Sequence, residues 1–261
     1  MFSKYPAERK AVTVTGNGKT IIMKIPTIQG IIDRRVLVNF TVDPDVIQKI
    51  IPDPFRPKIY KSKSIVGICL IRLKHIRPKG LPNFVGISSE NAAHRMAVEW
   101  IKNGEIKKGV FIPRRDTSSY LNTLAGGRIF PGRHIHSKFE VKEENGNYHI
   151  ACKSSDGTTI SVDGNKTDNL NSSSIFDGLD EASEFFKNGD LGYSPSNDNF
   201  DGLLLKTFNW KVEPLNVTAV QSSFFENENI FPKGSVQFDN ALLMTQINHE
   251  WHSVRQKSHC P

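Results

Sequence analysis

Charged residues that could bind an anion occur at three separate places in the sequence. Glu90 lies in "SSEN", Arg114, Arg115 and Asp116 are consecutive in "PRRDT", and Arg133 follows Gly132 in "FPGRHIH". Arginine guanidinium groups bind carboxylates or phosphates through paired hydrogen bonds. The pattern predicts either an anion site in which these groups converge or an ion-pair network that joins neighbouring strand ends.

Histidines raise a second chemistry, metal binding. His134 and His136 are two residues apart, so both leave the same face of a strand, and His94 together with Glu90 would add ligands from a neighbouring segment. Imidazole and carboxylate ligands suit zinc, iron or manganese. The alternative is a pair of ordinary surface histidines, because no third ligand has a diagnostic spacing. We expect that the protein binds no metal and no other cofactor.

Several function classes lack support in the sequence. There is no glycine-rich phosphate loop and no nucleophile elbow. The net charge is +7, but the basic residues are scattered and lack interleaved aromatic residues, so nucleic acid is not expected as a partner. No apolar run approaches the roughly 18 residues that span a bilayer, so no membrane is expected. A small-molecule ligand remains the expected partner, and a homo-oligomer stays open.

Composition indicates an ordinary globular chain. With 261 residues, 38% of them hydrophobic, residues 1–261 are expected to form a single domain. The three cysteines, Cys69, Cys152 and Cys260, are far apart and odd in number. This pattern favours free thiols in a reducing compartment, and we therefore expect a cytoplasmic protein.

The elements that must position these residues read mainly as antiparallel strands. "RRVLVNFTV", "SIVGICLIRL", "LLLKTFNWKVEP" and "NVTAVQSSFF" have strand patterns, and Asn103-Gly104 predicts a β-hairpin turn of type I′. A short helix is predicted over "DPDVIQKII", with Asp43 as its N-cap and Pro44 as its first helical residue. Two further short helices are predicted over "SSYLNTLA" and over "GLDEASEFFKNG".

Apolar and polar residues alternate in the strand after "FPG", and this alternation predicts which side chains face the pocket. Arg133 shares a face with Ile135, Phe139 and Val141, whereas His134 and His136 lie on the other face. We expect Gly132 to permit a close backbone approach or a positive φ, and Arg133 to point into a pocket. His134 and His136 are then expected on the more exposed side.

Several segments together resemble a known family. "VLVNFTVDPDVIQKIIPDPFRP", "SSENAAHRMAVEW", "GVFIPRRDTSS", "GGRIFPGRH" and "SIFDGLDEASEFFKNGDLGYSP" look like the YqjF-like family of unknown function, within the acetoacetate decarboxylase-like superfamily. The resemblance implies a mainly β (α+β) fold: a cone-shaped antiparallel β-barrel with a few short peripheral helices and a pocket inside the cone.

The same resemblance puts decarboxylation in doubt. In acetoacetate decarboxylases the turn similar to "GRIFPGR" carries a lysine directly after the proline, which forms a Schiff base, and a second lysine follows it. This chain has Gly132 and Arg133 there, and neither forms an imine. Of the family's two pocket carboxylates only Glu90 is matched, while an arginine is matched by Arg34 or Arg35, of which we favour Arg35 for the pocket.

Two functions remain in view. The first is a pocket that binds a small anionic organic molecule without Schiff-base chemistry, through Arg35, Glu90, Arg114, Arg115, Asp116, Gly132 and Arg133. The second is a lyase or hydrolase of altered mechanism, in which Glu90 or a histidine acts as acid or base with or without a metal.

Overall fold

A computed structural model describes residues 26–125, 132, 134–196 and 200–254. The strands are β1 (Ile28–Val42), β2 (Arg56–Pro57), β3 (Ile59–Tyr60), β4 (Lys63–Pro78), β5 (Ile87–Lys102), β6 (Glu105–Thr117), β7 (His134–Glu144), β8 (Asn147–Ser154), β9 (Thr159–Lys166), β10 (Leu191–Pro195), β11 (Phe200–Thr207), β12 (Glu213–Ser222) and β13 (Gln237–Val254). The helices are α1 (Pro44–Gln48), α2 (Tyr120–Ala125) and α3 (Leu179–Lys187), with a 3-10 turn at Asn83–Val85. None of the helices in these ranges has the length and hydropathy needed to cross a bilayer. The predicted mainly β fold with short helices is confirmed.

Local sequence signals specify several of these elements. The Asp43 side chain accepts a hydrogen bond of 3.0 Å from the Asp45 amide, so Asp43 caps α1 and Pro44 starts it. Asn103 and Gly104 have φ values of 54° and 79°, which is the geometry of a type I′ turn between β5 and β6. Both predictions are confirmed.

Two of the predicted strands end at other residues in the structure than the sequence indicated. "LLLKTFNWKVEP" is divided, because β11 ends at Thr207 and β12 begins at Glu213. Both segments pair antiparallel with β13, β11 with residues 249–254 and β12 with residues 242–243, so the break lets the chain change its position along β13. β12 stops at Ser222, because Phe225 beyond it turns into a hydrophobic core.

The strand pairings close the sheet into two rings. The larger ring follows β1, β4, β5, β6, β7, β8, β9, β12 and β13 back to β1. The smaller ring follows β1, β4, β5, β6, β10, β11 and β13, because β6 also pairs with β10 and β13 also pairs with β11. The pairings are antiparallel except for β6 with β7 and β6 with β10, which are parallel. Five strands, β1, β4, β5, β6 and β13, belong to both rings, and we call four of them, β1, β4, β5 and β13, the shared wall.

Each ring encloses its own hydrophobic core. On β1, Val36 and Val38 pack in the core of the larger ring, while Leu37 between them packs in the second core. Phe185 and Phe186 of α3 also belong to the second core. The shared wall is therefore covered on both faces, which explains its long apolar runs.

Gly109 is a point where the smaller ring closes tightly. A Cβ atom at Gly109 would lie 2.4 Å from the Leu191 carbonyl oxygen of β10 and 3.2 Å from the Trp100 ring. We predict that Gly109→Ala lowers the free energy of unfolding by about 1–3 kcal/mol, because the backbone of β10 must shift to admit the methyl group. Urea unfolding measures the loss.

The matched control is Gly178→Ala. Gly178 has an extended backbone with φ of 177°, and nothing lies within 4 Å of a Cβ built there. The free energy of unfolding of the Gly178→Ala variant should differ from that of the wild type by about 0.5 kcal/mol or less. Equal effects of the two substitutions would show that β10 does not approach β6 as described.

Candidate functional site

A cavity of about 130 Å³ lies in the smaller ring. Its lining residues come from all seven strands of that ring and from Phe185 and Phe186 of α3. Apolar side chains such as Leu37, Ile71 and Leu203 form much of the lining. A partly open, largely apolar cavity with a few polar groups has the character of a small-molecule site.

Three arginines, Arg35, Arg95 and Arg115, line this cavity. The Arg35 Nε donates to the Cys69 Sγ at 3.3 Å, and the Arg115 Nε donates to the Ser194 Oγ at 2.9 Å. Arg95, only 5% exposed, donates to the Asn39 side-chain oxygen. Within the described ranges none of the three forms an ion pair with a carboxylate.

Burial of these arginines destabilises their charged form without neutralising it. Desolvation lowers the pKa of Arg95 to about 10, and the neighbouring Arg35 adds to the effect. Desolvation also lowers the pKa of Arg115 to about 10. Both guanidinium groups are thus protonated at neutral pH, and the cavity holds positive charge away from water.

Two further basic residues line the cavity. The Lys58 Nζ lies 3.6 Å from the centroid of the Phe185 ring. Desolvation lowers the pKa of Lys58 to about 8, with a smaller contribution from Lys108. Desolvation lowers the pKa of His134 to about 3, and the Arg115 charge acts in the same direction, so His134 is neutral at pH 7.

The register of neighbouring strands places several cavity residues in one row on the same face of the sheet. Cys69 of β4 is opposite Ala93 of β5, Ala93 is opposite Arg115 of β6, and Arg115 is opposite His134 of β7. Residues opposite one another in a sheet point to the same face, so this row faces the cavity. The small side chain of Ala93 leaves room in the row.

The structure separates Arg35 from Arg34. Arg34 points to the other face, where it is 2% exposed and contacts Glu90 at 2.6 Å and Glu143 at 2.5 Å. Glu90 also accepts a hydrogen bond from Arg72. Glu90 does not line the cavity, so the structure places it in an ion-pair network and apart from Arg35 and Arg115.

Arg114 belongs to a second ion-pair network. It contacts Asp116 at 2.8 Å and Asp156 at 2.6 Å. Asp116 lies at the edge of the cavity, but its carboxylate also accepts a hydrogen bond of 2.6 Å from Ser154. The adjacent residues Arg114 and Arg115 therefore differ, since only Arg115 lines the cavity.

Gly132 lies beside the cavity, and the other residue predicted for this turn, Arg133, is outside the described residues. Gly132 has a φ of 84°, which confirms the predicted positive value. A Cβ there would lie 2.6 Å from the Ser194 Cβ and 3.5 Å from the Arg115 Nε. The backbone of Gly132 thus packs where a side chain would otherwise enter.

The three histidines considered as metal ligands lie in different surroundings. His94 is buried in the larger ring against Phe224 and Phe225, with its Nε2 2.9 Å from the Ser222 Oγ. His134 lines the cavity, and His136 stacks on Tyr120 with ring centroids 3.8 Å apart. Across the described parts of the chain, no three histidine, cysteine or carboxylate residues are grouped to hold a metal.

The prediction that His134 lies on an exposed face was wrong. Alternation correctly distinguishes the buried Ser137 from the exposed Lys138 further along β7. At the start of β7, however, the face opposite the larger ring is covered by the smaller ring, because β6 alongside belongs to both. The alternation pattern assigns the face of β7 that carries His134 to solvent, but at His134 this face lines the cavity.

Several cavity residues were missed in the sequence. Arg95 alternates with His94 and Met96, and it shares its face with the small residues Ala93 and Ala97, a pattern that could have marked it. Lys58 and Cys69 carry no comparable signal, because only long-range pairing brings them to the cavity.

Solved structures with the same architecture define the class of fold. An acetoacetate decarboxylase-like enzyme from Sphingomonas wittichii RW1 matches with a TM-score of 0.57 at 9% identity, covering 95% of this chain and 99% of that one. Acetoacetate decarboxylase from Legionella pneumophila matches with a TM-score of 0.57 at 12% identity, covering 97% and 93%. The enduracididine biosynthesis enzyme MppR, complexed with pyruvate, matches with a TM-score of 0.51 at 8% identity, covering 90% and 91%. The chain therefore has an acetoacetate decarboxylase-like fold.

The family follows from the sequence. The model of the family DUF2071, described as an uncharacterized conserved protein, matches residues 32–244, and the chain belongs to this family. The predicted family resemblance is confirmed. A comparison with curated proteins found no match.

His94 generates a prediction about pH. Burial lowers its pKa to about 3 from an ordinary 6.5, so between these values the unfolded chain binds a proton that the folded protein does not. The stabilisation is complete above pH 6.5 and is lost as pH falls toward 3. We predict that His94→Gln makes the free energy of unfolding less dependent on pH in this window, by up to about 1.4 kcal/mol per pH unit.

Urea unfolding at several pH values between 4.5 and 7.5 measures this dependence. The control is His75→Asn, because His75 is exposed and its replacement should leave the wild-type pH dependence unchanged. An identical slope for His94→Gln and the wild type would mean that His94 is not held neutral in the core.

Proposed function

We propose that this protein binds a small organic anion, a carboxylate of a few carbon atoms, in the cavity of the smaller ring. The observation that carries the proposal is the set of three cavity arginines, Arg35, Arg95 and Arg115, without carboxylate partners among the described residues. Asp116 and Asp190 also line the cavity, but neither forms an ion pair with these arginines.

Desolvated cations favour an anionic ligand. A buried charge without a counter-ion is unfavourable, and an anion that enters the cavity offsets this penalty. Guanidinium groups also match the geometry of a carboxylate, to which they can donate two parallel hydrogen bonds. Apolar neighbours such as Leu37 and Ile71 suit the carbon part of such a ligand.

The size of the cavity limits the ligand. About 130 Å³ is slightly smaller than an engineered protein cavity of roughly 150 Å³ that holds benzene. A ligand with about six non-hydrogen atoms therefore fits. Pyruvate, which the structural relative MppR binds, has the required size and charge and is a suitable probe.

Schiff-base chemistry is not part of the proposal. Gly132 has no amine at the position where the resemblance implies a lysine, and a side chain there would meet Ser194. Among described residues Lys58 is the lysine that lines the cavity, and its amine lies over the Phe185 ring. Arg35 and Arg115 act in this proposal by binding charge, not by covalent reaction.

The alternative of acid–base catalysis has one supporting observation, the presence of His134 in the cavity next to Arg115. With its pKa lowered to about 3, however, His134 is a weak base at neutral pH. Glu90 is held by Arg34 and Arg72 outside the cavity. Binding is therefore the function that the geometry favours.

We predict that pyruvate binds the wild-type protein with a stoichiometry of one, measured by titration calorimetry. Arg115→Gln should weaken binding about tenfold or more, because a hydrogen bond to a charged group contributes roughly 1.5–3 kcal/mol. The control is Arg56→Gln, since Arg56 is exposed on β2. Equal affinity in all three proteins would contradict the proposed site.

A second prediction concerns covalent chemistry. Incubation with acetoacetate and borohydride should leave the intact mass of the protein unchanged, because Gly132 has no amine and the Lys58 amine lies over the Phe185 ring. Peptide mapping would locate any adduct. An adduct on Lys58 would overturn the proposal of noncovalent binding. In that case the variant Lys58→Met should form no adduct.

A further inference from the structure

We propose that Cys69 is a nucleophilic thiol of the cavity, and that the cavity takes small carboxylates that carry an electrophilic carbon. This inference rests on the proposed function, because the arginines that bind the carboxylate are those around the sulfur. It adds a covalent step that anion binding alone does not require.

The contacts of Cys69 support a reactive sulfur. The Arg35 Nε donates to its Sγ at 3.3 Å. In the sheet, Cys69 is opposite Ala93, whose partner on the next strand is Arg115. Positive groups beside a cysteine stabilise the thiolate, which is the nucleophilic form of the side chain.

Arg95 provides an independent indication of a ligand. It is 5% exposed and lines the cavity, and its Nε has no hydrogen-bond partner among the described residues. A buried donor without an acceptor is unfavourable. A carboxylate that enters the cavity supplies the acceptor and brings its carbon chain close to Cys69.

Access to Cys69 is restricted to the cavity. The residue is 8% exposed and lines the cavity, so a reagent must enter among the arginines to reach it. Cys152 differs, because it lies in the core of the larger ring at 3% exposure. Burial raises the pKa of Cys152 to about 12, which makes this thiol an internal reference for an inert cysteine.

Iodoacetate is the probe, and neutral iodoacetamide is its uncharged counterpart. In the reaction the Cys69 sulfur forms a bond to the methylene carbon, the carbon–iodine bond breaks, iodide leaves and the thiol proton goes to solvent. For Cys69 and for glutathione, the rate of alkylation by iodoacetate is divided by the rate of alkylation by iodoacetamide. We expect this ratio to be about ten times larger or more for Cys69 than for glutathione, because a positive cavity concentrates the anionic reagent.

The experiment follows alkylation of the full-length protein by peptide mapping. Pyruvate should slow the reaction of Cys69 with iodoacetate, and Arg35→Gln should slow it about tenfold, because the donor to the sulfur is lost. Arg56→Gln is the control and should leave the rate unchanged. Cys152 should stay unmodified in the folded protein.

The two proposals fail in different ways. If neither reagent modifies Cys69 while calorimetry still shows pyruvate binding, the nucleophile is overturned and the anion site stands. If Cys69 reacts without preference for iodoacetate and pyruvate gives no protection, the carboxylate class is overturned together with the anion site.

Discussion

Burial of both faces of the shared wall is the constraint on which the rest of the structure depends. β1, β4, β5 and β13 separate two hydrophobic cores, so a polar side chain in the stretches that are covered on both faces has no access to solvent and needs a partner inside the protein. Asn39 of β1 and Asn240 of β13 meet this requirement with a hydrogen bond of 2.7 Å. Arg95 meets it in part by donating to Asn39.

The same constraint gives neighbouring arginines different roles. Arg34 faces Glu90 and Glu143, and breaking such a buried pair typically costs about 3–5 kcal/mol, so this side of the wall is structural. Arg35 faces the cavity, where its hydrogen-bond partners are the sulfur atoms of Cys69 and Met244. A change of one position along β1 thus separates an arginine with two carboxylate partners from one that has none among the described residues.

Local features of the fold were predictable, and long-range pairings were not. The Asn103-Gly104 turn and the Asp43 cap depend on nearby residues alone, and the sequence specifies them. The pairings of β6 with β10 and of β11 with β13 create the smaller ring, and no local pattern encodes them. Without that ring, the covered face of β7 at His134 looks exposed.

The candidate site shows the same division. The resemblance was met by Arg34 or Arg35, and only the structure shows that Arg35 lines the cavity whereas Arg34 faces Glu90. Between β5 and β6 the register shifts between His94 and Met96, so counting alternate residues along β6 does not tell Arg114 from Arg115. Cys69 and Arg95 lie on the paired strands β4 and β5, and this pairing, which no pattern within either strand reveals, brings them to one cavity.

The central claim is that Arg35, Arg95 and Arg115, which have no carboxylate partner in the part of the chain that the structure describes, form a site for a small carboxylate. A crystal structure of the protein with pyruvate tests it most directly. The account predicts electron density for one pyruvate in the cavity, with its carboxylate within hydrogen-bond distance of the Arg35 or Arg115 guanidinium group. A carboxylate of the chain itself bound to these arginines, with no pyruvate in the cavity, would contradict it.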